Sequence, residues 1–392
     1  MSEIKLNFDD TATAFSDKST AELKKKYRIF KLINSPLLTN IGTRLTELAF
    51  RLHLPVKGLV KETIFTQFCG GETIEECEPT ILKLGKSNIG TILDYSVEGK
   101  SSETVFDSTK AEIYRTITRA KKDENVPFAV FKVTGLASLE TLEKVSAGKE
   151  LLKNDQINWD QAKTRVTELC EYAHSIDQPV FIDAEDSWIQ DAIDGLATEM
   201  MGKYNREKPI IYNTIQLYRH DRLAFLKQSH AAAKKDGYIL AVKLVRGAYM
   251  EKERERAVEM DYPSPIQPDK TATDRDFDRA ILYCLENIED IAFVAGTHNE
   301  ESVRKLSAML EEKKIEPNHP HVFFSQLYGM SDNLSFILAK NKFNVSKYVP
   351  YGAVKDVVPY LTRRAQENTA VMGQVSRELD LIGKELKRRN HK

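Results

Sequence analysis

Lys132, Asp183, Gln216, Lys243, Arg246, Thr297, His298 and Gln326 have one thing in common. Each stands at or just beyond the end of a short apolar run. Charged groups inside such runs are costly unless they are paired. One strand-end lysine is more often a salt-bridge partner than a catalyst, and one glutamine is more often a core hydrogen-bonder. The set is more informative than its members. It offers cations and hydrogen-bond donors around a Gly247-Ala248 step, where the backbone is small. There is no Ser/His/Asp nucleophile pattern and no HExxH, and His298 is the only histidine placed where a run ends, so no metal site is expected. Such a rim suits an anionic organic molecule, for example a phosphate-bearing cofactor together with a carboxylate substrate.

A second cluster lies in YLTRRAQEN, residues 360–368. Helical spacing puts Tyr360, Arg363 or Arg364, and Glu367 on one face. Two guanidiniums can clamp a carboxylate bidentately. Taken alone, the helix is equally a solvated arginine pair with Glu367 as local partner.

The elements that would hold these residues can be read from periodicity. Eight short apolar runs, rich in β-branched and aromatic residues, occupy 89–95, 128–134, 180–185, 210–216, 239–245, 291–296, 321–327 and 343–349. Longer amphipathic stretches separate them. Continuous apolar strands alternating with helices imply parallel strands covered on both faces. Eight units imply an α/β fold, a closed (βα)8 TIM-like barrel whose strand C-termini face the active site. An open doubly wound sheet is the alternative, although no GxGxxG follows any strand. Residues 1–85 read as an N-terminal helical segment and 86–392 as the barrel with a C-terminal helix over its mouth. In the segment, LKKKYRIFKLINSP stops at Pro36, NIGTRLTELAFRLHL follows, and VKGLVKETIFTQFCGGE ends at Gly70-Gly71.

Composition narrows the function classes. Lys plus Arg is 57 and Asp plus Glu is 58, for a net charge of -1, so no nucleic-acid partner is expected. The four cysteines form no CxxC pair and read as reduced thiols. The polar, acidic start MSEIKLNFDD resembles neither a secretory signal nor a mitochondrial presequence. No apolar run reaches the ~18 residues of a membrane span. The expected location is the cytoplasm. The basic KELKRRNHK end leaves room for peripheral contact on the inner face of the cytoplasmic membrane.

VKLVRGAYMEKER, FIDAE, GTHN, QLYGM and YVPYG…PYLTRRAQEN, in order along about residues 85–375, resemble proline dehydrogenase (proline oxidase) of the stand-alone type. The resemblance implies a distorted βα barrel that binds FAD noncovalently. It implies oxidation of L-proline to Δ1-pyrroline-5-carboxylate by hydride transfer from C5 to flavin N5, with electrons passed to a membrane quinone. On the resemblance, Lys132, Arg363 and Arg364 grip the proline carboxylate, and Tyr348, Tyr360 and Leu327 wall the ring. Asp183 organises the ion pairs, with Lys132 as its expected partner, and Lys243 lies near the flavin where the bifunctional type has arginine. Ala184, Gln216, Val245, Gly247, Ala248, Tyr249, Thr297, His298 and Glu367 contact the cofactor, with Lys270 and Thr273 on its adenine half. Glu72 resembles a gate that pairs with the first arginine. Tyr348 favours proline over hydroxyproline, because it crowds the carbon that would bear the hydroxyl. The rival readings are a hydroxyproline dehydrogenase, a lyase using Lys132 or Lys243 as a Schiff base, and a non-catalytic amino-acid-binding barrel.

Overall fold

The apolar runs become parallel strands in a computed structural model that describes residues 6–34, 57–96, 102–361 and 372–391. The strands are β1 (Gly90–Tyr95), β2 (Phe128–Lys132), β3 (Val180–Asp183), β4 (Ile211–Gln216), β5 (Leu240–Val245), β6 (Ile291–Gly296), β7 (Val322–Leu327) and β8 (Val345–Tyr351). They form a closed barrel in sequence order, as expected from the eight runs. Strands β2 and β3 stop sooner than their apolar runs, so Lys132 and Asp183 are the last residues of their strands. Strand β8 runs on to Tyr351. The chain divides into two compact units, residues 100–325 and residues 1–99 with 326–392.

In the unit 100–325, neighbouring strands pair in a register that brings Lys132 beside Asp183 and Thr214 beside Lys243. Side chains alternate along a strand, so residues two apart share a face. Phe128, Phe181 and Tyr212 therefore meet, joined by Phe323. Phe128 and Phe181 stack with centroids 4.5 Å apart, and Tyr212 and Phe323 meet Phe128 edge-on at 5.4 and 4.9 Å. This aromatic layer fills the barrel below the polar strand ends. Outside the strands, Asp194 gathers Gln190 Nε2, Asn213 Nδ2 and Arg222 Nη1, so a buried carboxylate is bonded from three sides.

In the other unit, β1 pairs with β8 from Gly90↔Ser346 to Tyr95↔Tyr351, and Gly71 bridges to Tyr351. Helix Thr20–Ile33 begins at a capping box formed by Ser19 and Glu22 and ends before Pro36, as the sequence suggested. Its Leu23, Ile29, Phe30 and Ile33 pack with Phe65, Phe68, Val357, Leu361, Val375 and Ile382 in one apolar core. Residues 57–68 are helical as expected, but Lys61–Phe65 form a π-helical turn. The NIGTRLTELAFRLHL stretch lies outside the described residues. Near the end of helix Met372–Asn390, Arg388 and Arg389 both bond the buried Glu385, and Arg389 also donates to the carbonyls of Lys18 and Phe15. Part of the basic C-terminal charge is thus engaged within the unit. Among the described residues, no helix is long and apolar enough to cross a membrane.

Candidate active site

Three charged side chains meet at the ends of β2, β3 and β5. Lys243 Nζ donates to Asp183 Oδ1, and Lys132 Nζ lies 3.6 Å from Asp183 Oδ2. Lys243 also stands over the Phe181 ring at 5.2 Å, so the aromatic layer supports the ammonium from below. One carboxylate therefore fixes two cations. The expected pairing of Asp183 with Lys132 is present, and Lys243, which strand register brings across from β5, is a second partner that the sequence did not suggest.

Glu185, two residues past Asp183, accepts from the backbone N–H (3.0 Å) and the hydroxyl of Thr134. Burial pushes its carboxyl up to about 7, against the two Thr134 bonds and the Lys132 charge.

Strand β4 contributes polar atoms of a different kind. Thr214 Oγ1 and Gln216 Oε1, on one face of β4, and Tyr218 Oη, two residues past its end, are buried without a hydrogen-bond partner among the described residues. Buried polar atoms left unpaired are costly, and each offers a bond that a ligand can complete. Tyr218 was missed in the sequence, hidden in the apolar spelling QLY just past the end of β4. Its ring packs on Gly247, whose φ is 138° and where a Cβ would come within 2.5 Å of Tyr218 ring carbons. The expected role of Gly247 was backbone access for the cofactor, and the structure shows that it also makes room for Tyr218.

Beyond β5, Arg246 is a hub. It donates to Asp274 Oδ1 (2.7 Å), Thr297 Oγ1 (2.7 Å) and Ser302 Oγ (2.9 Å), with its guanidinium over Phe277 at 4.3 Å. Thr297 is thereby fixed, and His298 follows it at the end of β6. Ala184 and Thr273 are buried, while Val245, Ala248 and Tyr249 are half-buried. Lys270 is exposed and pairs with Asp274.

In the unit formed by 1–99 and 326–392, Leu327 ends β7, Tyr348 lies on β8, and Tyr360 falls in the helical residues 354–361. Tyr348 and Tyr360 are buried. Glu72 was expected to pair with Arg363, which lies outside the described residues. Among the described residues Lys61 (2.7 Å) and Lys57 (3.0 Å) hold Glu72, and the Val354 N–H also donates to it. Partial burial would raise its pKa, but these lysines bring it down to about 2. Arg363, Arg364 and Glu367 lie outside the described residues. No group of three or more His, Cys, Asp or Glu side chains able to hold a metal occurs among the described residues.

These residues fit a flavin. A flavin ring presents N–H and carbonyl edges, which the orphaned oxygens of Thr214, Gln216 and Tyr218 can bond, and Lys243 supplies a fixed cation beside them.

Comparison with known proteins identifies the family. The sequence model of the family described as Proline dehydrogenase matches residues 77–377. The chain is 34% identical to "Proline dehydrogenase 1, mitochondrial" of Dictyostelium discoideum over 97% of its own length and 74% of that protein. It is 35% identical to "Carbapenem antibiotics biosynthesis protein CarD" of Pectobacterium carotovorum subsp. carotovorum, covering 82% and 83% of the two chains. To "Hydroxyproline dehydrogenase" of Xenopus laevis it is 30% identical, covering 98% and 90%. Among solved structures, proline utilization A from Bdellovibrio bacteriovorus, inactivated by N-propargylglycine, shares the fold with a TM-score of 0.71 at 22% identity. That match covers 91% of this chain and 38% of the longer one. With a family match over most of its length and relatives of 30–35% identity along 82–98% of it, this chain belongs to the proline dehydrogenase family of oxidoreductases.

Proposed function

We propose that this protein oxidises L-proline to Δ1-pyrroline-5-carboxylate with FAD as its cofactor. The observation that carries the reading is the Lys132–Asp183–Lys243 cluster beside the orphaned polar atoms of β4, in a barrel of this family. Bound FAD supplies the hydride acceptor for the carbon next to the ring nitrogen.

The residues of the chain supply orientation and field. Lys132 offers a cation to the substrate carboxylate, with Arg363 and Arg364 assigned the same task on the family resemblance. Asp183 holds Lys132 and Lys243 in place before substrate arrives, so little reorganisation is needed when charge shifts. Lys243 places positive charge at the end of β5, where negative charge builds up as electrons leave the substrate. The ring nitrogen must be neutral to push electrons into the forming C=N bond, so the substrate loses a proton first. Thr214, Gln216, Val245, Gly247, Ala248, Tyr249, Thr297, His298, Lys270, Thr273, Ala184 and Glu367 are assigned to the cofactor, and Arg246 keeps Thr297 oriented toward it. Tyr348, Tyr360 and Leu327 are assigned to the substrate ring, and Glu72 to gating. A membrane quinone, reached by peripheral contact from the cytoplasm, is the proposed electron acceptor on the family resemblance.

The purified protein is expected to absorb near ~450 nm, as flavins do, and to bleach on addition of L-proline without added electron acceptor. Absence of a flavin band refutes the proposal. Bleaching by 4-hydroxyproline in preference to proline would transfer the assignment to the hydroxyproline enzyme, the activity named for the Xenopus laevis relative.

A further inference from the structure

The turn that follows β7 is fixed by an ionic cluster that the assigned chemistry does not use. Lys347, on β8, is completely buried and donates to the carbonyl of Met330 and, at 3.5 Å, to that of Leu327. It also lies 3.1 Å from Asp332 Oδ1. Asp332 is buried in turn and binds Lys26 at 2.7 Å and Lys18 at 3.5 Å. Lys26, on helix Thr20–Ile33, reaches Glu378 Oε2 at 3.5 Å, on helix Met372–Asn390. The other Glu378 oxygen accepts from the Ser331 N–H.

That last bond falls on a strained residue. Ser331 has φ 50°, a left-handed conformation unusual for a residue with a side chain, and it is fully buried. The same turn is held at two more points. Tyr328 N–H donates to Tyr348 O (2.8 Å), and Gln67 Nε2 donates to Gly329 O (2.8 Å). Gly329 has φ 80°, and a Cβ there would overlap the Gln67 backbone oxygen.

Burying three ammonium groups against the carboxylates of Asp332, Glu378 and Asp17, which pairs with Lys18, is expensive. Burial pushes the Lys347 ammonium pKa down despite Asp332, whereas the Lys26 pKa is raised because Asp332 and Glu378 outweigh its burial. An apolar turn would have avoided the cost. The cost is balanced by a fixed backbone from Leu327 to Ser331. Lys347 and Tyr348 are adjacent on β8 and so face opposite sides of the strand. One carries the clamp, and the other carries the ring wall assigned above.

We propose that Lys347 is a positioning residue for the substrate ring, clamping the 327–331 turn so that Leu327 and Tyr348 keep a fixed spacing, and that Lys26 and Glu378 complete this clamp from the N- and C-terminal helices. The inference rests on the ring-wall roles of Leu327 and Tyr348 under the proposed function.

The test uses the full chain with its flavin bound. The variants are Lys347→Met, Lys26→Met and the double variant Lys347→Met/Asp332→Asn. Four quantities are measured: flavin absorbance per chain, KM and kcat for L-proline, and the dissociation constant of cyclopentanecarboxylate, a ring acid that lacks the nitrogen and is not oxidised. Lys347→Met is expected to raise KM and that dissociation constant together by about tenfold, with kcat and flavin content nearly unchanged, the signature of lost ground-state positioning. Lys26→Met moves both in the same direction by a smaller factor. The double variant separates positioning from stability. It leaves Lys18 with Asp17 and Lys26 with Glu378, so stability recovers. The Met330 carbonyl still lacks its Lys347 donor, and Leu327 keeps only its other contacts, so KM stays raised. If KM recovers with stability, or never rises in a folded variant, Lys347 only supports the fold and the inference is overturned. If Lys347→Met does not fold, the double variant decides by the same criterion. If the unaltered protein is not bleached by L-proline, the proposed function fails. If it is bleached and KM is insensitive to these changes, only the clamp fails.

Discussion

Asp183 is bonded to both strand-end lysines, and replacing it by alanine strips Lys132 and Lys243 of this common partner. At 3.6 Å and an effective dielectric of about 20, Lys132 and Asp183 attract by ~5 kcal/mol before desolvation is counted. Lys243 is nearer and more deeply buried, so its share is no smaller. Removing one member of a buried pair costs about 3–5 kcal/mol net, because the remaining charge is stranded away from water. Asp183→Ala is expected to lose that much stability. Lys243→Met, which keeps the aliphatic stem over Phe181, is expected to lose a similar amount. The double variant has apolar groups on both sides of this contact, and it should lose less than the sum of the singles by about 2 kcal/mol or more. Denaturant midpoints and slopes for the four proteins give the comparison. Additivity within about 0.5 kcal/mol would falsify the coupling. The claim that Asp183 pre-positions the cations would then lose its basis.

Gly247→Ala should destabilise the protein by roughly 1–3 kcal/mol and lower flavin content per chain, because φ 138° and the Tyr218 ring both exclude a Cβ; normal flavin content in a stable variant would show the Gly247–Tyr218 packing to be incidental. Glu185→Gln tests the buried carboxyl. Its folded pKa of about 7 lies above the ordinary 4.5, so the stability it contributes is complete below about 4.5 and is lost as pH rises through 7. The stability of Glu185→Gln relative to the unaltered protein should therefore improve by about 3 kcal/mol between pH 4.5 and 8. Losing one Thr134 bond adds a cost that does not vary with pH, and a difference flat across that range would rule out a carboxyl titrating near neutrality. Tyr348→Ser should raise turnover of 4-hydroxyproline relative to L-proline, and an unchanged ratio would remove the selectivity role given to Tyr348.

The barrel was legible because its strands are buried on both faces. FAVFK and ILAVKLV announce themselves without any knowledge of their neighbours. Partnerships were less legible, since a parallel sheet matches residues by register, and register is not written in any one strand. Asp183 meets Lys132 on the adjacent strand as expected, but its second partner, Lys243, lies two strands away and was not foreseen. The lysines beside Glu72 were equally hard to foresee. Lys57 and Lys61 are spaced for one helix face, but only the turn at Gly70-Gly71 brings the carboxylate back to them. Tyr218 and Ser331 left no signal at all. A tyrosine in an apolar run reads as core, and a left-handed serine is a property of the turn and its Glu378 partner rather than of the residue type.

The pairing of β1 with β8 has a consequence for how the chain is made. Gly90 meets Ser346, so β1 must wait for about 250 later residues to leave the ribosome before its partner exists. During that interval the apolar GTILDY strand exposes a bare edge, the kind of surface that pairs with other chains. The intervening residues 100–325 carry their own strand pairings and aromatic layer, and they can become ordered while β1 is still waiting. The late step in folding is then the arrival of β8. With it come the turn at Gly329, Lys347 and the helix that bears Glu378, so the elements assigned to the substrate ring are among the last to form.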